Sequence, residues 1–154
     1  QRAMNESFED VSYKPLRLVA FTVEDLKVIS TITQDAVFPS TEMVLNSQQR
    51  RFAMLLNRYR WETTNPENIE RVQAVLAFED VKKVQTQKIK KTNNNLALCL
   101  LNISFKAEED GMGTVQLILA GGGAIRLHVE ALEVTLRDVT QPYLAPSGQI
   151  PDHN

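Results

Sequence analysis

The chain contains 154 residues, of which 43% are hydrophobic and 23% are charged, and its formal net charge at pH 7 is −2. These values are typical of one globular domain with a core of its own, and so small a net charge does not indicate nucleic acid or an acidic membrane surface as the partner. The single cysteine excludes an internal disulfide, and no apolar run approaches the roughly 20 residues of a membrane span, so we expect a cytoplasmic protein.

The charges are distributed unevenly along the chain. Ten Lys and Arg residues but only five Asp and Glu residues lie between Arg50 and Lys91. The most basic stretch holds Lys82, Lys83, Lys88, Lys90 and Lys91. Because it lacks interleaved aromatic residues on which bases could stack, we predict a solvated basic segment and not a nucleic-acid-binding one.

The first predicted elements are a strand and a helix. Residues 1–14 are polar and aperiodic, which indicates a flexible tail, and Pro15 then favours an extended strand over Leu16–Phe21. Thr22 is a residue type preferred at helix N-caps, and acidic residues follow it. We therefore predict a helix to about Ala36, with an apolar stripe of Leu26, Ile29, Ile32 and Ala36.

The middle of the chain predicts strands. Thr41–Leu45 and Arg51–Trp61 flank a polar turn, and the second segment is apolar on both faces, which is typical of a central strand. Residues 63–67 are predicted to form a loop. In Arg71–Phe78 every second residue is apolar, and the loss of this pattern near Asp80 predicts a bulge or bend. Good helix formers keep a helix open as the alternative for Ile69–Leu76.

The last part of the chain predicts two more features. Leu96–Lys106 reads as a strand with Cys99, Leu101, Ile103 and Phe105 on one face. Thr114–Ala120, the turn Gly121–Gly123 and Ala124–Val139 predict a long hairpin with a bulge near Glu130, and a helix from Val129 onward is the alternative. Residues 141–154 contain three prolines and are expected to form an extended tail.

Together these elements predict an α+β domain over residues 15–140. We expect a mostly antiparallel and strongly curved sheet, or a partly open barrel, of about six or seven strands with one early helix packed on it. An exposed strand edge would also allow self-association into a homo-oligomer.

Several short motifs, in this order along the chain, resemble a known family. They are Leu16–Phe21, Gln34–Val37, Arg51–Ala53, Leu56–Glu62 and Ala120–Leu127. The sequence between Pro15 and Val139 is similar to uncharacterised alphaproteobacterial proteins that are classed as a domain of unknown function. The resemblance implies a compact bacterial cytoplasmic domain, and it brings no activity, substrate or catalytic residue.

The most informative polar cluster follows the apolar part of the predicted strand Arg51–Trp61. Arg58 and Arg60 continue the line of core residues on one face, so they can bind a carboxylate or phosphate, with Trp61 on the opposite face. Asp35, at the predicted helix end, opposes the helix dipole and predicts a contact with one of these arginines. The candidate anion-binding or partner-binding residues are therefore Asp35, Asn57, Arg58, Arg60 and Trp61. A salt-bridged rim with a buried tryptophan is the alternative interpretation.

No pattern predicts catalysis, a metal or a cofactor. The Gly121–Gly123 run lacks the Lys-Ser/Thr of a phosphate-binding loop, adjacent carboxylates suit turns, and His128 has no ligand or triad partners at suitable spacing. We therefore expect a non-enzymatic binding or protein-interaction domain that meets its protein partner at a strand edge or at the Arg58/Arg60 end. The alternative is an enzyme or sensor domain that binds a small anionic ligand through Arg58 and Arg60, with His128 as proton carrier in the enzyme.

Overall fold

A computed structural model describes residues 13–62, 69–89 and 96–144. Most of the two predicted tails, the predicted loop at 63–67 and Lys90 and Lys91 of the basic segment lie outside these ranges. The described residues form one α-helix, α1 (Val23–Ile32), and eleven strands. The strands are β1 (Arg17–Ala20), β2 (Val37–Pro39), β3 (Met43–Asn46), β4 (Arg51–Tyr59), β5 (Glu70–Phe78), β6 (Val81–Gln87), β7 (Ala97–Ala107), β8 (Gly113–Leu119), β9 (Ala124–Val129), β10 (Val134–Asp138) and β11 (Tyr143–Leu144).

The strands form one antiparallel sheet in the order β1-β10-β5-β4-β2-β7-β8-β9-β6, with β3 added to β4 and β11 added to β5. The sheet is not closed. The predicted α+β class with a mostly antiparallel sheet is confirmed, but six or seven strands is the wrong number. Sequence patterns miss β2 and β11 because two or three residues are too few to show a period of two, and they do not separate β6 from β5 or β10 from β9.

Helix α1 begins where the sequence predicts and ends earlier. Thr22 caps its N-terminus, and its hydroxyl accepts a hydrogen bond from the Asp25 backbone N–H at 3.1 Å. The last helical residue is Ile32 and not Ala36. Beyond it the backbone turns back, and Asp35 adopts a left-handed conformation with φ of 68°. Asp35 is therefore a turn residue beyond the helix, so the predicted conflict with the helix dipole does not arise.

The helix packs against β7 and β1 through one apolar face. Leu26 and Ile29 are buried in the core. The Ser30 hydroxyl accepts a hydrogen bond from the Ile103 backbone N–H at 2.9 Å and donates one to Asn102 Oδ1 at 3.1 Å. These contacts lie beside a register shift in the β7–β8 pairing, between Leu100 and Asn102.

Strands β4 and β5 carry the centre of the sheet. Their register places Met54 opposite Leu76, and both side chains are buried on the core face. On the other face Leu55 is opposite Val75, and both are partly exposed. The predicted two-faced β4 is therefore fully covered on one side only. The alternation of β5 and the bend at Asp80, where φ is 57°, are confirmed, and β5 is not a helix.

The prediction that Cys99, Leu101, Ile103 and Phe105 share one face of β7 is wrong. Leu98 and Leu100 are buried, whereas Cys99 lies on the opposite face and is partly exposed. After the register shift Ile103 becomes the next buried residue. One extra residue changes the parity of all residues before it, because successive side chains of a strand point to opposite faces.

The C-terminal hairpin is confirmed for β8 and β9, which pair antiparallel. Gly121 and Gly122 make the turn with φ of 85° and 93°, a conformation that glycine adopts without steric cost. The remaining predicted strand residues separate from the hairpin after Val129 and form β10, which pairs with β5 and β1. Residues 134–138 are therefore a strand and not a helix, but they belong to the other side of the sheet.

Candidate functional site

Arg58 lies at the end of β4 on the core face, and its side chain is fully buried. Its Nε and Nη2 donate to the two carboxylate oxygens of Asp138 at 3.0 and 2.9 Å. Nη1 and Nη2 donate to the two oxygens of Glu62 at 2.9 and 2.8 Å, and Nη1 also donates to the Tyr59 carbonyl at 3.1 Å. These five bonds use all five guanidinium N–H groups. The geometry leaves no donor of Arg58 for a bound anion.

Asp138 is the centre of this buried network. Besides Arg58 it accepts hydrogen bonds from the Tyr13 hydroxyl at 3.0 Å and from the Leu16 backbone N–H at 2.9 Å. The Asp138 carboxylate is fully buried, so protein donors replace the water that a charged group needs. The network therefore joins the chain before β1 and the ends of β4 and β10.

Titration of the network follows from these contacts. Burial, followed by the hydrogen bond to Asp138, raises the pKa of Tyr13 to about 12. Burial alone would raise the pKa of Glu62 and lower that of Arg58, but the hydrogen bonds between them reverse both directions, so the pKa of Glu62 is lowered and that of Arg58 is raised. All three groups keep the protonation states that the bonds require at neutral pH.

Arg60 lies beside this network and just beyond β4. It forms ion pairs with Glu70 and, at 3.9 Å, with Glu62. Its guanidinium also stacks on the Tyr13 ring, 5.1 Å from the ring centroid. The ion-paired rim that the sequence offered as the alternative is therefore the arrangement around Arg58 and Arg60.

The other three predicted site residues do not join Arg58. Asn57 points to the opposite sheet face, where its amide oxygen accepts a hydrogen bond from the Tyr143 hydroxyl. The Trp61 indole donates to the Gln34 carbonyl at 2.9 Å, and its side chain is only partly buried. Asp35 is buried, but the carboxylates that contact Arg58 are Asp138 and Glu62. The predicted cluster is thus divided between two faces of the sheet.

A second arginine site lies on the outer face of β5, the face opposite the core. Arg71 stands between two tyrosines in register, Tyr59 on β4 and Tyr143 on β11. Its guanidinium lies 4.7 Å from the centroid of Tyr59, and the Tyr59 ring is 5.5 Å from that of Trp61. The sequence contains an arginine on β5 and an aromatic residue on β4. That the two are opposite each other is visible only once the β4–β5 register is known.

An apolar groove separates β3 and β6. Within the described residues β3 pairs only with β4 and β6 only with β9. A cavity of about 550 Å³ lies between them, and its lining residues are Ser40, Thr41, Met43, Leu45, Phe52, Val84, Thr86 and Ile89. The sequence predicted β3 but not β6 as a separate strand, and it did not predict that residues of both strands line one cavity.

Other chemistry is sparse in the part of the chain that the structure describes. Residues 13–62, 69–89 and 96–144 contain no group of three or more His, Cys, Asp or Glu side chains placed to hold a metal ion, and no helix long and apolar enough to cross a membrane. His128 is half-buried and contacts Gln85 Oε1 at 2.8 Å and Thr114 Oγ1 at 3.3 Å. Both of these neighbours are uncharged, so among the described residues no carboxylate forms a hydrogen bond that could orient His128 as a base.

A family described as "Protein of unknown function (DUF2948)" matches residues 16–153, which is most of the chain. The chain belongs to the DUF2948 family. This agrees with the resemblance found in the sequence motifs and carries no assigned activity. Comparisons with curated proteins and with solved structures found no match.

Proposed function

We propose that this chain is a protein-interaction domain of the bacterial cytoplasm that binds an extended segment of a partner protein in the groove between β3 and β6. The observation that supports this proposal is that, among the described residues, β3 pairs only with β4 and β6 only with β9, and residues of both strands line an apolar cavity of about 550 Å³. That volume lies within the roughly 300–1,000 Å³ typical of ligand-binding clefts. An inserted strand would extend both edges.

The backbone supplies the affinity in this proposal. A free strand edge presents unpaired N–H and C=O groups, and an extended peptide satisfies them by adding a strand. β3 (Met43–Asn46) provides a short edge and β6 (Val81–Gln87) a longer one. Short and lysine-bearing edges are also how proteins limit uncontrolled association, so these edges suit a selective partner.

The side chains of the groove supply the specificity. Leu45 is directly opposite the buried Phe52, so it faces the core side of the sheet, yet 47% of its surface remains exposed. Thr86 likewise shares a face with the buried Ile125 and is exposed. These residues lack the cover that their neighbours on the same face have. A partner strand with apolar residues at every second position would provide it.

The lysines near the groove indicate the charge of the partner segment. Lys82 and Lys83 are exposed at the start of β6, and Lys88 is exposed beyond its end. Acidic residues at the ends of the bound segment would be attracted to these lysines and would increase the association rate. We therefore propose a partner segment with an apolar alternating centre and acidic ends. This gives the basic segment a role in binding a protein.

The small-anion alternative has less support from the geometry around Arg58. All five of its donors are bonded within the protein, and Arg60 is paired with carboxylates. Displacing Glu62 or Asp138 from a buried arginine would expose an uncompensated charge, which costs several kcal/mol. The groove requires no such displacement.

The experiment is selection from a displayed library of random linear peptides, followed by fluorescence anisotropy with a synthetic peptide that the wild-type chain selects. Leu45→Lys places a charge in the groove and should weaken binding at least about tenfold, as loss of a central interface residue does. Val44→Lys is the matched control, because Val44 is the next residue, is 59% exposed and lies on the opposite face. It should leave the affinity unchanged.

A second set of peptides tests strand addition itself. N-methylation at every second backbone amide should weaken binding in either phase, since successive N–H groups of a strand point to opposite edges and an inserted strand pairs with both β3 and β6. Equal affinity of wild type and Leu45→Lys for every selected peptide would disprove the proposed groove. Indifference to N-methylation at all positions would disprove backbone pairing.

A further inference from the structure

We infer that Arg71 is the cationic centre of a second binding site, one for an oxyanion such as a carboxylate or a phosphate group. This site lies on the face of β5 away from the core and is independent of the groove between β3 and β6. The inference begins from a contrast between two arginines of the same sheet. Arg58 has a protein partner for every N–H group, whereas Arg71 does not.

No ion pair in the described residues involves the guanidinium of Arg71, and its Nε is buried without a hydrogen-bond acceptor. An unpaired buried donor costs about 1–3 kcal/mol, so an arrangement that keeps one calls for a reason. Arg71 is only partly buried, and an anion at its guanidinium would offset the charge, which a neutral ligand cannot do.

Aromatic contacts fix the orientation of Arg71. It is directly opposite Tyr59 on one neighbouring strand and Tyr143 on the other, and it lies over the Tyr59 ring. Tyr59 is only 7% exposed and packs against Trp61, so the stacking surface is itself held in place. A stacked guanidinium keeps its edge N–H groups available for bidentate bonding to an oxyanion. The side chain is thus oriented for binding without a ligand.

The neighbouring carboxylates shape the site. Glu70 precedes Arg71 and pairs with Arg60, so it is occupied elsewhere. Asp35 and Arg71 act in opposite directions on the pKa of the Cys99 thiol, which burial and Asp35 raise and Arg71 lowers. The carboxylate of Asp35 therefore weakens the attraction for an anion at Arg71. Removing its charge should strengthen binding.

The test uses the only tryptophan of the chain as the reporter, since its indole N–H gives one unambiguous nitrogen–proton NMR signal. Wild-type chain is titrated separately with sodium phosphate and with sodium acetate, and sodium chloride at equal ionic strength is the reference. We expect a saturable shift of the Trp61 signal with phosphate, acetate or both. A shift with acetate indicates a carboxylate ligand, and a shift with phosphate alone indicates a phosphoryl group.

Three variants decide the role of Arg71. Arg71→Gln should abolish the saturable shift, and Asp35→Asn should lower the dissociation constant, because asparagine also tolerates the left-handed backbone of position 35. Arg137→Gln is the matched control, because it removes an exposed arginine of β10 on the same outer face. It should leave the titration unchanged.

A second substitution at position 71 distinguishes loss of the anion site from misfolding. Arg71→Lys keeps the charge but loses the planar fork, so it should bind more weakly than wild type and more tightly than Arg71→Gln. The inference fails if neither anion gives a saturable shift beyond that with chloride. It also fails if Arg71→Gln and Arg71→Lys both titrate like wild type and the spectrum of Arg71→Lys is otherwise native. A failure here leaves the peptide groove untouched, because the two sites share no residue.

Discussion

Replacing Asp138 by alanine is expected to lower the free energy of unfolding by about 3–5 kcal/mol, the range for removal of one partner of a buried ion pair. The substitution removes the acceptors of four hydrogen bonds. Two come from Arg58, one from the Tyr13 hydroxyl and one from the Leu16 backbone N–H, at 2.9 to 3.0 Å. Glu62 continues to neutralise part of the Arg58 charge, so we do not expect the sum of four separate losses.

A surface ion pair provides the matched control for this measurement. Arg50 and Glu130 form a pair in which both side chains are nearly half exposed. Exposed pairs contribute about 0–1 kcal/mol, so Glu130→Ala should change stability by no more than that. The comparison separates burial from mere ion pairing, since each variant deletes one carboxylate that contacts one arginine.

Urea denaturation followed by circular dichroism measures both variants, with the slope of the transition checked for equality. If the loss comes from a stranded charge, the double variant Arg58→Met/Asp138→Leu should be more stable than Asp138→Ala, because no unpaired guanidinium remains. A loss below about 1 kcal/mol for Asp138→Ala would refute the assigned role of the network, as would a double variant no more stable than the single one.

Two further predictions concern Tyr13 and Gly113. The folded pKa of Tyr13, about 12, exceeds the ordinary value of about 10, so its contribution to stability should be complete below pH 10 and lost as pH rises through 12. Tyr13→Phe should remove this dependence, and it should also remove the phenol titration near pH 12 from ultraviolet spectra. Gly113→Ala should cost about 1–3 kcal/mol, because its Cβ would lie 2.4 Å from the Phe105 ring, and thermal unfolding equal to that of wild type would contradict this clash.

The sequence predicted the features that depend on neighbouring residues. Thr22 followed by acidic residues determined the helix start, since a hydroxyl is needed where backbone N–H groups have no helical partner. Glycines at 121 and 122 determined the turn of the β8–β9 hairpin, and the lost alternation near Asp80 marked a bend. Each of these signals is contained within a few residues, so no knowledge of the fold is needed.

The sequence predicted which side chains of a strand face the core only where the strand pairing contains no inserted residue. The alternation of β5 gave its core face correctly. In β7 the register shift inverted the first half, so Cys99 faced outward although the pattern of the second half predicted otherwise. A strand sequence fixes relative parity, but the position of an irregularity depends on the partner strand and, here, on Ser30 of the helix.

Only the tertiary structure determined the partners of the arginines. Arg58 bonds to Asp138, which is 80 positions away in the sequence, because β10 leaves the predicted hairpin and pairs with β5. The same pairing leaves Arg71 between two tyrosines, and the open sheet brings the edges of β3 and β6 to one groove. Local patterns specify strands and turns, whereas strand order is decided by the burial of the whole core, and it is strand order that places charges beside one another.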